Sequence, residues 1–152
     1  MFETYPRILI IEDNPDHAEL IIRSLEVTDY DISLYHVSDG EEALDFLFRK
    51  NEYKTLTKDD MPNLILLDLK LPKLDGFEVL KTIKKTDSLR HIPVIVLTTS
   101  NMDTDIQKAY DLQANSYLVK PINFTLFITL MEEFGSYWLE HNVRPLSDNG
   151  KG

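Results

Sequence analysis

Six residues able to do chemistry close four apolar runs. Glu12 and Asp13 follow "RILII", Asp68 follows "LILL", Thr98 and Thr99 end "IPVIVLTT", and Lys120 ends "NSYLVK". An acid at the end of an aliphatic run is costly to bury without a partner. Three acids brought together also repel, since two unit charges roughly 4 Å apart cost about 4 kcal/mol at an effective dielectric of about 20. Such a cluster persists when a cation fills it. An all-oxygen donor set without His or Cys suits a hard ion, Mg²⁺ or Mn²⁺. Mg²⁺ typically takes one or two carboxylates together with phosphate oxygens, so acids beside a lysine and a threonine can receive a phosphoryl group. Asp68 is then the nucleophile and forms an acyl phosphate. Lys120 and Thr98 bind the phosphoryl oxygens by charge-assisted and ordinary hydrogen bonds.

These residues meet only if the elements between them bring the run ends to one edge. "RILIIE" (7–12), "NLILLD" (63–68) and "IPVIVLTT" (92–99) read as strands covered on both faces, "DISLYHV" (31–37) as a more exposed one, and "NSYLVK" (115–120) as a short fifth. Helical spacing predicts helices over 15–27, 38–50, 75–86, 102–114 and 124–141. Asn14 before Pro15 supplies the first start signal, Ser38 or Asp39 the second, and Asp75-Gly76 a turn and cap before the third. Residues 51–62, "NEYKTLTKDDMP", carry no period and read as a polar loop. Strict alternation of strands and helices implies right-handed crossovers and a parallel sheet with helices on both faces. In such sheets, sites form beyond the carboxyl ends of the strands, where all six residues fall.

Composition narrows the class. The chain of 152 residues has the size of one domain, here 5–143, and "RPLSDNGKG" (144–152) reads as a frayed tail with no room left for an output domain. No cysteine is present, which excludes disulfides, thiolate metal sites and thiol catalysis and fits a reducing, cytoplasmic setting. A formal charge of -10 argues against nucleic acid, which needs a basic footprint. The six-residue apolar run near the N-terminus is neither a signal peptide nor a membrane span.

"IIEDNPD", "LILLDLKLPKLDGFEVL", "IPVIVLTTS" and "YLVKP" together resemble, in order and spacing, the receiver domain of two-component response regulators over about residues 5–141. The resemblance implies a flavodoxin-like (CheY-like) doubly wound five-stranded parallel sheet of order 2-1-3-4-5 with five helices. It implies that Asp68 accepts a phosphoryl group from a phosphohistidine on a sensor histidine kinase, with no turnover of a separate substrate. Glu12 and Asp13 match the acidic metal pair, which with Asp68 and the Lys70 main-chain carbonyl would hold Mg²⁺ or Mn²⁺. Glu12 departs from the commoner Asp. Thr98 matches the switch hydroxyl, Lys120 the phosphate-binding lysine, and Tyr117 the aromatic that changes rotamer on activation. Thr99 and Lys70 stand where side chains modulate the phosphate; at Pro121 the resemblance raises a cis base rate of only about 5% and leaves the isomer of the Lys120–Pro121 bond open. The loop 51–62, "LTTS" and the final "YWLE" further resemble the single-domain regulators paired with bacterial phytochromes, which implies a phytochrome kinase, a downstream protein target, and a homodimer through helix 4, strand 5, helix 5 and the C-terminal aromatics.

Plainer readings compete at single positions. Asp68 alone is a turn carboxylate, Thr98 a β-branched strand residue, Lys120 a surface lysine. His17, His36, His91 and His141 share no ligand spacing and read as surface or packed residues. Phe134, Tyr137 and Trp138 either cap the core or meet a partner. A flavin carrier needs a Gly/Ser/Thr-rich phosphate loop where this chain has "EDNPD", and aspartyl phosphatases place a second Asp where it has Lys70. A phosphorylation-independent adaptor would bind its partner equally well without Asp68.

Overall fold

Alternate residues of the aliphatic strands feed two separate cores. The computed structural model describes residues 6–27 and 31–143. Strands β1 (Arg7–Ile11), β2 (Ser33–Val37), β3 (Leu64–Leu67), β4 (Val94–Thr98) and β5 (Ser116–Val119) form one parallel sheet of order β2-β1-β3-β4-β5. Successive strand side chains point to opposite faces. Ile8, Ile10, Leu64, Leu66, Ile95 and Leu97 therefore pack with Ile21 and Leu25 of α1 (Pro15–Glu26) and with Phe127, Met131 and Phe134 of α5 (Phe124–Gly135). Leu9, Ile11, Ile65, Leu67, Val94 and Val96 face the other way. They meet α2 (Gly40–Leu47), α3 (Gly76–Lys85) and α4 (Asp103–Asp111) through residues such as Phe46, Leu80, Ile83 and Ala109. Each fully buried aliphatic side chain contributes roughly 1.5–3 kcal/mol, so the doubly covered β1, β3 and β4 form the rigid centre.

The helices start where the sequence signals them. Asn14 accepts from the amides of Asp16 and His17, with Pro15 opening α1. Asp39, rather than Ser38, caps α2 through the Glu42 amide; Asp75 caps α3 through Glu78, and Asn123 caps α5 through Leu126. Only α4 begins without a side-chain cap, at Met102. Helix ends fall earlier than periodicity predicts. Arg49 (φ 55°) and Gln113 (φ 74°) adopt left-handed backbone beyond α2 and α4, so both helices stop without the usual glycine signal. The last helix instead reaches its expected end: α5 passes at Gly135 into a π-helical turn, Ser136–His141. The expected loop 51–62 contains two 3₁₀ turns, Asn51–Tyr53 and Lys58–Asp60. Tyr53 holds it to α2, its ring against Phe46 and its hydroxyl donating to Glu42 Oε2 at 2.5 Å.

Of the C-terminal aromatics, Phe134 is core, Trp138 is half-buried against it, and Tyr137 is exposed. The tail 144–152 lies outside the described residues. Among the described residues no helix is long and apolar enough to cross a membrane. None of their peptide bonds is cis, so the isomer left open at Lys120–Pro121 is trans.

Candidate functional site

The ladder hydrogen bonds continue one residue past the strands, and this holds the chemistry in register. Beyond β3, the Asp68 amide donates to Ile11 O at 3.0 Å; beyond β1, the Glu12 amide donates to Val37 O at 3.1 Å. Beyond β5, the Lys120 amide donates to Thr98 O at 2.7 Å. Glu12, Asp68, Thr98 and Lys120 are all buried at this carboxyl edge. Residues from four strands are thus set by main-chain pairing before any side-chain contact is counted.

Lys120 is the centre of the cluster. Its Nζ donates to Glu12 Oε1 at 2.5 Å and to Asp68 Oδ2 at 2.9 Å, and lies 3.0 Å from His17 Nδ1. Asp68 Oδ1 accepts from the Lys70 amide at 3.2 Å, and Glu12 Oε2 from the Asn14 amide at 3.1 Å. Asp13 is exposed, yet carboxylate oxygens of Glu12, Asp13 and Asp68 all lie within 4.8 Å of one another. One buried ammonium against two buried acids leaves negative charge uncompensated. Burial drives the Glu12 carboxyl up to about 7; Asp68 pushes the same way, and the Lys120 hydrogen bond opposes both. A divalent cation would relieve this strain, and three oxygen donors with one side open to solvent fit a hard ion that keeps its own waters. Lys70 and Asp13 line the same open cleft, with Leu69, Asp75 and Asp105.

The loop after Asp68 owes its path to a close approach. A Cβ on Gly76 would lie 2.4 Å from the Asp68 carbonyl oxygen and 2.5 Å from Leu69 Cα. The absent side chain, more than a turn preference, is what position 76 requires. Gly40 plays the same part against Leu74, where a Cβ would meet the carbonyl oxygen at 1.9 Å.

Thr98 Oγ1 is fully buried and has no hydrogen-bond partner among the described residues, an expensive state for a hydroxyl. Thr99, the next residue, is exposed. Tyr117 is half-buried against the α3–α4 core, its hydroxyl donating to Ser100 O at 3.0 Å. Ser100 in turn donates to Asp105 Oδ2 at 2.6 Å and accepts from the Met102 amide, closing the unsignalled start of α4. Ser100 and His17 were the members sequence reasoning missed. For Ser100 the adjacency to "LTT" was the available signal. His17 offered none, being 103 residues from Lys120; it is the packed residue the sequence allows, and its packing sets Nδ1 beside Lys120.

The chain belongs to the response regulator receiver domain family, whose model matches residues 8–132. Phosphoryl acceptance from a kinase is the function of this family. The chain is 45% identical over 138 residues to the probable methanogenesis regulatory protein FilR2 of Methanothrix harundinacea, covering 91% of this chain and 86% of that one. It is 41% identical over 138 residues to the response regulator Rcp1 of Synechocystis sp., covering 91% and 92% respectively. The Mn²⁺-bound form of Rcp1 superposes with a TM-score of 0.88 at 39% identity over 93% of this chain and 99% of Rcp1. The phosphorylated cyanobacterial phytochrome response regulator RcpA gives 0.88 at 36% identity, over 94% and 100%. These likenesses agree with the narrower resemblance to phytochrome-associated regulators, and FilR2 stands beside them.

Proposed function

We propose that this chain is a phosphorylation switch whose acceptor is Asp68. The observation carrying the reading is that a buried carboxylate at the end of the central strand shares one buried lysine with a second acid, beside an open acidic cleft. An Asp68 oxygen attacks phosphorus, the P–N bond of a kinase phosphohistidine breaks, and an acyl phosphate forms. Glu12, Asp13, Asp68 and the Lys70 carbonyl would hold Mg²⁺ or Mn²⁺. The ion, when bound, neutralises charge on the transferring phosphoryl group. Lys120 turns a proton from Asp68 to a phosphoryl oxygen, and the unpartnered Thr98 hydroxyl gains an acceptor there. Movement at Thr98 is transmitted to Ser100 and Tyr117 and so to the α4–β5–α5 surface. Thr99 and the Lys70 side chain, both exposed at the rim, tune access of water to the phosphate.

The sensor histidine kinase, by similarity to RcpA, is of the bacterial phytochrome kind, and the setting is cytoplasmic. Signalling passes from the domain 5–143 to a downstream protein. Val119, Ile122, Phe124 and Leu126 are exposed on and after β5, and they support a homodimer through α4, β5 and α5 with Tyr137 at its margin. Incubation with acetyl phosphate and Mg²⁺, read by intact-protein mass spectrometry, should add one phosphoryl group to the wild type and none to Asp68→Asn. An adduct that persists in Asp68→Asn refutes the assignment.

A further inference from the structure

Lys120 presents three N–H donors and no acceptor, and each donor has a partner: Glu12 Oε1, Asp68 Oδ2 and His17 Nδ1. An ammonium cannot accept, so the 3.0 Å contact requires Nδ1 to be the unprotonated nitrogen of a neutral imidazole. Burial, and then the charge of Lys120, hold His17 below its ordinary pKa, which favours that form. The ring is not free to wander. The His17 amide is bound to the Asn14 cap at 3.1 Å, and the imidazole packs on Phe127 of α5 at a centroid distance of 6.3 Å.

We propose that His17 is a positioning residue for Lys120, accepting one ammonium proton so that Nζ is held between Glu12 and Asp68 in the orientation phosphoryl transfer needs. This rests on Asp68 being the phosphoacceptor. When Asp68 is phosphorylated its carboxyl oxygens become poorer acceptors, and Lys120 redirects that one proton to a phosphoryl oxygen. Glu12 and His17 keep the other two. The ammonium therefore pivots about two retained bonds, where a lysine lacking the histidine would sample more rotamers and lose more entropy in the transition state.

His17→Leu and His17→Phe both remove the acceptor while filling the space beside Phe127, with different shapes, so a folding defect in one leaves the other. His17→Asn retains an acceptor, Oδ1, on the atom that carried Nδ1. With acetyl phosphate and Mg²⁺, His17→Leu and His17→Phe should lower the initial phosphorylation rate roughly five- to tenfold, tenfold being about 1.4 kcal/mol. His17→Asn should stay within about twofold of wild type, because the charge-assisted bond is kept. In a Lys120→Met background, His17→Leu should change nothing further. The inference is overturned if the acceptor-less variants match wild type, if His17→Asn is as slow as they are, or if their slowing persists undiminished without Lys120. Absence of any wild-type adduct is a different result: it removes the Asp68 reading itself, and this inference with it.

Discussion

Two lysines sit at opposite edges of the same sheet and each uses all three donors, yet they do different work. Lys84, in the last turn of α3 at the amino edge, donates to Arg90 O at 3.1 Å, to Ile92 O at 2.9 Å and to Asn115 Oδ1 at 2.9 Å. Asn115 Oδ1 also accepts from the Val94 amide, so one ammonium ties α3 to the starts of β4 and β5. Its partners are neutral, and burial holds the Lys84 pKa below the ordinary lysine value. Lys120, at the carboxyl edge, has two carboxylates and an imidazole. The two carboxylates carry charge and repel one another, and the Asp68 contact is the one proposed to exchange. A half-buried cation among fixed dipoles is a tie, whereas a buried one among mobile charges is poised to move.

Removing each lysine's charge at constant shape is the sharpest way to break this comparison. Lys120→Met should slow phosphorylation from acetyl phosphate by about 100-fold, since the donor proposed to stabilise the transferring phosphoryl group is lost. The fold should survive, because Glu12 can take up a proton; unfolding of that variant at neutral pH would instead make Lys120 a structural tie. A smaller effect concerns pH. Glu12 rises from 4.5 to about 7 on folding, so across that window the folded protein binds more protons than the unfolded one. Stability in EDTA should therefore fall as pH rises, by up to about 3 kcal/mol. Urea titrations of wild type against Glu12→Gln isolate this contribution. The gap should shift against wild type as pH climbs, and Mg²⁺ at neutral pH should reverse it; a flat gap means that Lys120 keeps Glu12 ionised throughout. The least effect belongs to the amino edge. Lys84→Met should cost about 2 kcal/mol of stability, from acceptors left unpaired, while phosphorylation stays within about twofold of wild type.

Much of the framework was legible because local rules govern it. The aliphatic runs at β3 and β4 could only be doubly covered strands, and Asn14-Pro15 and Asp75 act on amides two or three residues away. Where a local signal is missing, periodicity overshoots. α2 and α4 stop short of their periodic patterns because left-handed Arg49 and Gln113 end them in place of glycine. Gly76 carries a turn signal in the sequence, but its essential property is the missing Cβ against the Asp68 carbonyl oxygen. The acids, Thr98 and Lys120 were legible as candidates because each ends an apolar run.

The partners of those candidates were not legible. By itself, the sequence determined the alternation of strands and helices, hence the parallel sheet, and the one edge to which Glu12, Asp68, Thr98 and Lys120 must come. Hydrophobic periodicity and capping depend on neighbours a few residues apart. Only the tertiary structure decided that Lys120 is shared by Glu12, Asp68 and His17, that Lys84 closes the opposite edge, and that Thr98 Oγ1 is buried without a partner. These depend on atoms up to 108 residues apart meeting within 3 Å, which strand order and register set and no local pattern records.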